Sequence, residues 1–165
     1  MPRVGIALGS NLGDRLQNLR AARDLLASIS TGPVLEAPVY LTEPVNCPPG
    51  SPDFYNTVVE ISHPGPAPEL LRQTQEFQRQ LGRTAMTERN APRTIDIDLL
   101  YFGDQIIVTD ALELPHPRLT QRQFVLRPLA DLRPDLILPA DDRTILDHLR
   151  DLASGEPELE LIPAS

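Results

Sequence analysis

The run Ile95-Asp96-Ile97-Asp98-Leu99 constrains this chain more than any other stretch. Apolar residues at 95, 97 and 99 alternate with two aspartates, the period-two pattern of a half-buried strand. Residues i and i+2 of a strand share a face, so both carboxylates leave the same side, about 6–7 Å apart at the backbone. Two like charges at that spacing repel, and a divalent cation between them removes the cost. Hard oxygen ligands of this kind suit magnesium, which commonly takes one or two carboxylates plus substrate phosphates. Charges on the open face of a strand also discourage edge-to-edge aggregation. The Asp-x-Asp pattern by itself does not separate these two readings.

The rest of the chain supplies layers to cover such a strand. Val4, Ile6 and Leu8 alternate as a first strand, which the turn residues from Gly9 to Asp14 break. A helix follows over about 14–29, with Leu16, Leu19, Ala22, Leu26 and Ile29 as its apolar stripe and Gly32-Pro33 as its stop. Residues 34–41 read as a second strand that Pro38 demotes toward an edge. A proline-rich loop occupies 43–52, and a third strand runs from Phe54 to Ile61. Leu70, Thr74, Phe77 and Leu81 predict a second helix over about 67–81, with Gly82 at C′. Residues 82–93 form a polar loop, and loops of that length inside a compact domain are usually functional or disordered. Gly103-Asp104 reads as a two-residue hairpin turn returning the chain as a strand over 105–109. Short helices are expected near 120–130 and 143–152, and a polar tail outside the core from 154. Two main helices mixed with hairpin-linked strands indicate an α+β sandwich rather than a doubly wound sheet. One domain over 1–153 accounts for the chain apart from its tail.

Composition narrows the chemistry. The formal charge of −8 argues against a nucleic-acid partner. No apolar run approaches the roughly 18 residues that span a bilayer, and the N-terminal apolar stretch is too short for a signal peptide. Cys47 is the single cysteine, which excludes an intrachain disulfide and fits a cytoplasmic setting. There is no lysine, so a Walker A lysine and a Schiff-base lysine are both excluded. Residues 79–127 hold seven arginines against six acids, a local surplus of positive charge in an acidic protein. That bias suits a confined anionic ligand such as a polyphosphate held by planar guanidinium forks. Any one of these arginines, taken alone, reads equally well as a surface solubiliser.

Four segments in order then carry a resemblance. They are Gly9-Ser10-Asn11-Leu12-Gly13, Gly82-Arg83, Ala91-Pro92-Arg93-Thr94-Ile95-Asp96-Ile97-Asp98-Leu99-Leu100, and Pro115-His116-Pro117-Arg118-Leu119 with Arg122 and Phe124-Val125-Leu126 beyond it. Together, over about residues 4–150, they resemble the 6-hydroxymethyl-7,8-dihydropterin pyrophosphokinase family of folate biosynthesis. The resemblance implies a three-layer α+β sandwich, related to the ferredoxin-like folds, with helices on both faces of a mostly antiparallel sheet. It implies transfer of the β,γ-diphosphate of ATP to the pterin's primary alcohol with release of AMP. Asp96 and Asp98 would then be ligands of two magnesium ions. Arg83 and Arg93 would place charge on the transferring group from the 82–93 loop. Gln75, Leu99, His116 and Arg122 would contact the nucleotide, and Thr42, Phe54, Asn56 and Phe124 the pterin. Phe54 and Asn56 share one strand face, with Tyr55 opposite them as core, and an aromatic beside an amide suits a flat heterocycle. Phe54 and Phe124 would otherwise be ordinary core packing. His63 and His148 match nothing and are expected at the surface, and the protein is expected to act as a monomer.

Gln78, Ala85, Asn90 and Glu43 depart from the family pattern, where a glutamate, a basic residue, a tryptophan and a proline are common. The first bears on a nucleotide contact, and Ala85 and Asn90 on closure of the loop. The alternatives to the diphosphokinase are a non-catalytic pterin or nucleotide binder, and another magnesium-dependent nucleotide transferase using Asp-x-Asp. A plain scaffold with an exposed acidic strand is the blandest reading.

Overall fold

The structure, a computed structural model, describes residues 2–42, 53–82, 95–153 and 159–162. In chain order it contains β1 (Arg3–Ser10), α1 (Arg15–Ile29), β2 (Leu35–Glu36), β3 (Val39–Thr42), β4 (Phe54–Ser62) and α2 (Ala67–Gln80). There follow β5 (Asp96–Phe102), β6 (Ile107–Val108), β7 (Glu113–Leu114), a single 3₁₀ turn at Leu119–Gln121, α3 (Gln123–Leu132), α4 (Ile145–Ala153) and β8 (Glu160–Ile162). The main sheet has the order β5-β1-β4-β3-β8, with β2 beside β4, and all of its pairings are antiparallel. The two β-α-β units are interleaved, because β4 lies between β1 and β3 while β1 lies between β4 and β5. This is the split arrangement of ferredoxin-like folds.

Alternation along the strands builds two cores. Val4, Ile6 and Leu8 of β1 point to one face with Val59, Ile61, Ile97 and Leu99, where Leu19 and Leu26 of α1 and Leu70 of α2 bury them. Val58, Leu100 and Tyr101 point to the other face, under Val125 and Leu129 of α3 and Ile145 and Leu149 of α4. The helices therefore sandwich the sheet, as the α+β reading requires. Asp14 caps α1 by accepting the Gln17 N–H, and Gly82 takes φ 104° after α2, a conformation that favours glycine.

Several local expectations change. The strand over 34–41 is split into β2 and β3 at Ala37-Pro38, where proline has no N–H to give to a ladder. β1 continues through Gly9 to Ser10, so the break falls later than the turn residues indicate. The segment after Gly103-Asp104 does not return along β5, and β6 pairs with β7 in a separate ribbon. The outer edge of β5 is occupied instead. Gln78 accepts the Ile97 N–H at 2.8 Å, and the His116 N–H donates to the Leu100 carbonyl at 2.8 Å. The strict alternation of β5 also ends at Leu100, where the register against β1 slips between Gly5 and Ile6. That bulge sends both Leu100 and Tyr101 to the α3/α4 face. The tail expected outside the core supplies β8 alongside β3, and Ile162 packs against the α1/α2 core. His63 is buried at 5% exposure between Gln73, the Gly65 N–H and the Phe102 ring, and His148 is half-buried against Asp141. Neither is the surface residue that the sequence indicates.

One buried carboxylate ties the layers together. Glu60 of β4 is fully buried and accepts from Arg3 of β1, the Tyr101 hydroxyl of β5 and Arg133 at the end of α3. Burial pushes its carboxyl up, but the hydrogen bonds from Tyr101 and Arg3 and the charges of Arg133 and Arg3 outweigh it and hold the group below its ordinary value. Stability from this lowered pKa is fully present above the ordinary value of 4.5 and is lost as pH falls through the lowered folded value. Glu60→Gln is expected to cost about 3 kcal/mol at neutral pH, the penalty of breaking a buried ion pair. Urea unfolding at a series of pH values should show the gap between parent and variant closing below pH 4.5. A gap of equal size at pH 7 and pH 3 would assign the loss to packing.

Candidate active site

The site is a matter of parity on the sheet face that α3 and α4 cover. Register pairs Asp96 with Gly9, Gly9 with Asn56 and Asn56 with Tyr40, so these four residues form one row across β5, β1, β4 and β3. Asp98 stands opposite Ala7 in the next row toward the helices, and Phe54 opposite Thr42 in the next row outward. Strands lie about 4.8 Å apart, which places Asp96 roughly 10 Å from Asn56 across the strand between them. Nothing rises from that strand to separate them, because its residue is Gly9. A Cβ there would sit 2.7 Å from Asn56 Oδ1 and 3.7 Å from the Phe54 ring. The bare backbone at Gly9 thus makes a floor between a carboxylate pair and an aromatic–amide group.

On the amide side of the floor, Asn56 Nδ2 donates to Thr42 Oγ1 at 2.6 Å, and both residues are buried. That bond fixes the amide with Oδ1 as an acceptor directed over Gly9. The Thr42 hydroxyl, having accepted, keeps its own proton to donate. Phe54 is half-buried at the same end of β4, and Tyr55, on the opposite face, packs in the α1/α2 core under the Arg15 guanidinium. Phe124 comes from the first turn of α3, half-buried, with the Arg122 guanidinium 5.5 Å from its ring centroid.

The carboxylate side meets positive charge. Arg122 stands at the N-cap position of α3 without a side-chain capping bond, so its guanidinium lies at the positive end of the helix dipole. Burial lowers its guanidinium, and the charge of nearby Asp98 opposes that shift. His116 lies near Arg122 and Arg118. Burial pushes its imidazole below the ordinary value, and the charges of Arg122 and Arg118 push it further. Its Nδ1 accepts the Arg118 N–H at 3.1 Å, which puts the proton of the neutral ring on Nε2. His116 is therefore a neutral hydrogen-bond donor beside two guanidinium groups.

Asp96 is half-exposed and Asp98 exposed. Among the described residues no group of three or more His, Cys, Asp or Glu is placed to hold a metal ion. A cation here would draw two carboxylates from the protein and its remaining ligands from water and substrate oxygens. Magnesium is commonly held this way, so the donor set fits it.

The structure therefore brings together Asp96, Asp98, His116, Arg122, Thr42, Phe54, Asn56 and Phe124 on one face. Leu99 and Gln75 stand apart. Leu99 points into the α1/α2 core at 4% exposure, and Gln75 is exposed on α2. Arg83 and Arg93 lie outside the described residues, as do Glu43, Ala85 and Asn90. Gly9 and Gln78 have roles that sequence reasoning missed. Gly9 shares the parity of Ala7, which is a usable signal. Gln78 reaches Ile97 across 19 positions, and no local pattern announces such a contact.

With the geometry in hand, the chain can be compared with known proteins. Residues 5–134 match the model of the 7,8-dihydro-6-hydroxymethylpterin-pyrophosphokinase family. The chain belongs to that family. It is 38% identical to a 2-amino-4-hydroxy-6-hydroxymethyldihydropteridine pyrophosphokinase of Pseudomonas aeruginosa, over 94% of this chain and 92% of that protein. It is 36% identical to a folic acid synthesis protein of Dictyostelium discoideum, over 82% of this chain but only 20% of the relative's length. Among solved structures, a crystal structure of Plasmodium falciparum HPPK-DHPS superposes with a TM-score of 0.71 at 14% identity. That match covers 93% of this chain and 44% of the other, and at this identity it speaks for the fold.

Gly9→Ala is expected to fill the floor between Asp96 and Asn56 and to raise the dissociation constant of a pterin analogue at least tenfold. Calorimetric titration of the analogue measures this directly. Unchanged pterin binding by a folded variant would remove Gly9 from the site.

Proposed function

We propose that this chain transfers the β,γ-diphosphate of ATP to the hydroxymethyl group of 6-hydroxymethyl-7,8-dihydropterin, releasing AMP, as a step in folate synthesis. The observation that carries the proposal is the single row Asp96–Gly9–Asn56, which sets a carboxylate pair and an aromatic–amide group on opposite sides of a bare strand. The fully apposed substrates would meet above Gly9.

In this reading the pterin lies between Phe54 and Phe124, with its donor edge on Asn56 Oδ1 and its acceptor edge on Thr42. His116 Nε2–H and Arg122 hold the triphosphate from the α3 side, while Gln75 and Leu99, which stand apart from this face, are left out of the nucleotide site. Arg83 and Arg93 add charge to the transferring group. Asp96 and Asp98 would hold two magnesium ions, and the chemistry such ions supply when bound is neutralisation of phosphate charge and a lowered pKa for the attacking hydroxyl. Transfers of this type depend mainly on positioning and electrostatic stabilisation, and this site offers fixed donors and carboxylates rather than a strong base. Among the described residues no helix is long and apolar enough to cross a membrane. The protein acts as a cytoplasmic monomer in this reading.

The deciding experiment incubates the protein with ATP, magnesium and the pterin and resolves the adenine nucleotides. AMP formed in step with pterin diphosphate is the expected result, and ADP would overturn the proposal. Binding of the pterin without turnover would assign the chain a non-catalytic role. Asp98→Ala should lower turnover on the order of 10³-fold, corresponding to several kcal/mol of lost charge stabilisation.

A further inference from the structure

The outer edge of β5 carries a polar contact that the proposed chemistry leaves unused. Gln78 stands in the last turn of α2, buried at 8% exposure. Its Oε1 accepts the Ile97 N–H at 2.8 Å. Ile97 is the residue between Asp96 and Asp98, and its own side chain is locked in the α1/α2 core at 4% exposure. The peptide unit flanked by the two carboxylates is thus held from both sides. The apolar face of β5 is packed, and a helix amide takes its outward N–H. Among the described residues no strand neighbours it on that side, and β5 pairs with β1 in the main sheet. A buried peptide N–H without a partner is costly, so the strand would turn or water would enter if the acceptor were lost. Either response rotates the backbone from which both carboxylates project.

We infer that Gln78 is a positioning residue for the carboxylate pair, acting through the Ile97 peptide to hold Asp96 and Asp98 in the geometry that receives a divalent cation. The inference rests on the reading of Asp96 and Asp98 as metal ligands. Its chemistry is that of outer-shell partners, whose loss typically costs 10- to 100-fold in metal affinity while the ligands themselves remain. An oxygen acceptor at this position is what matters, so glutamate should substitute and methionine should not.

The test uses Mn²⁺ as the probe, with binding read by the loss of the free-ion electron paramagnetic resonance signal in the presence of a non-hydrolysable ATP analogue. Gln78→Met should weaken Mn²⁺ binding at least tenfold, and Gln78→Glu should retain it. Amide exchange is read in parallel on the metal-free parent, where the Ile97 N–H should be strongly protected and should lose protection in Gln78→Met. A freely exchanging Ile97 amide in the parent would overturn the inference whether or not either variant folds. Equal Mn²⁺ affinity of the parent and Gln78→Met would overturn it alone, and so would equal weakening in both variants. A parent that takes up no Mn²⁺ would overturn both this inference and the metal-site reading on which it rests.

Discussion

Everything on the functional face depends on the division of labour along β1. Its large apolar residues, Val4, Ile6 and Leu8, all point into the α1/α2 core. On the opposite parity, beyond Arg3, which turns to Glu60, stand the small residues Gly5, Ala7 and Gly9. Each small residue serves a neighbour. At Gly5 a Cβ would lie 2.1 Å from the Tyr101 ring, so the tyrosine crosses the strand there and reaches Glu60. At Gly9 the absent Cβ leaves the floor between Asp96 and Asn56. A β1 with ordinary side chains on both faces would keep the α1/α2 core and lose both the buried ion cluster and the floor at Gly9.

The buried cluster in turn governs α3. Arg133, just past its C-terminal end, is held by both oxygens of Glu60, and Asp131 accepts from the Tyr40 hydroxyl of β3. Burial and the Asp131 carboxylate push the Tyr40 hydroxyl up to about 12, so it remains a donor throughout the physiological range. The helix is ten residues long, about 15 Å from end to end. Its C-terminal end is fixed to the sheet by polar bonds, and its flank by Val125 and Leu129. Its N-terminal end is left to present Arg122 and Phe124. The ionic anchor of this helix is thus far from the end that presents Arg122 and Phe124.

How far the sequence foretells this varies with the kind of interaction. Period-two and 3.6-residue patterns place β1, α1, β4, α2 and β5 within a residue or two, because burial on one face imposes the pattern directly. The shared face of Asp96 with Asp98, and of Phe54 with Asn56, follows from the same parity. The return strand after Gly103 was not foreseeable in its true form. Turn chemistry marks a reversal but does not say which edge is already filled, and Gln78 and His116 fill this one. β8 has only three residues, two of them exposed, so it leaves no periodicity to read. His63 reads as a surface histidine because its burial comes from Gln73 and Phe102, which packing alone brings to it. The bulge at Leu100 escapes for a similar reason, since both registers of an apolar run look alike until Tyr101 finds Glu60.

The electrostatic arrangement resolves an apparent conflict in the chain. A protein of net charge −8 would repel an anionic substrate at long range. At contact distance the balance reverses on the α3 side, where Arg118, Arg122 and the first turn of the helix converge. The imidazole of His116 is kept neutral by burial and by those arginines, so it can donate through Nε2 without adding a third charge to a crowded pair. Asp98 offsets part of the same positive field. Uncompensated, the guanidinium groups would bind triphosphate and product alike and hold both. In the proposed function, paired carboxylates opposite them would make strong phosphate binding depend on a cation arriving with the nucleotide. Such a site would discriminate by charge count as well as by shape, favouring a metal-bound polyphosphate over the free anion. This selectivity needs the two carboxylates to stay on one face beside Arg122, which the parity of β5 and the packing of Ile97 enforce.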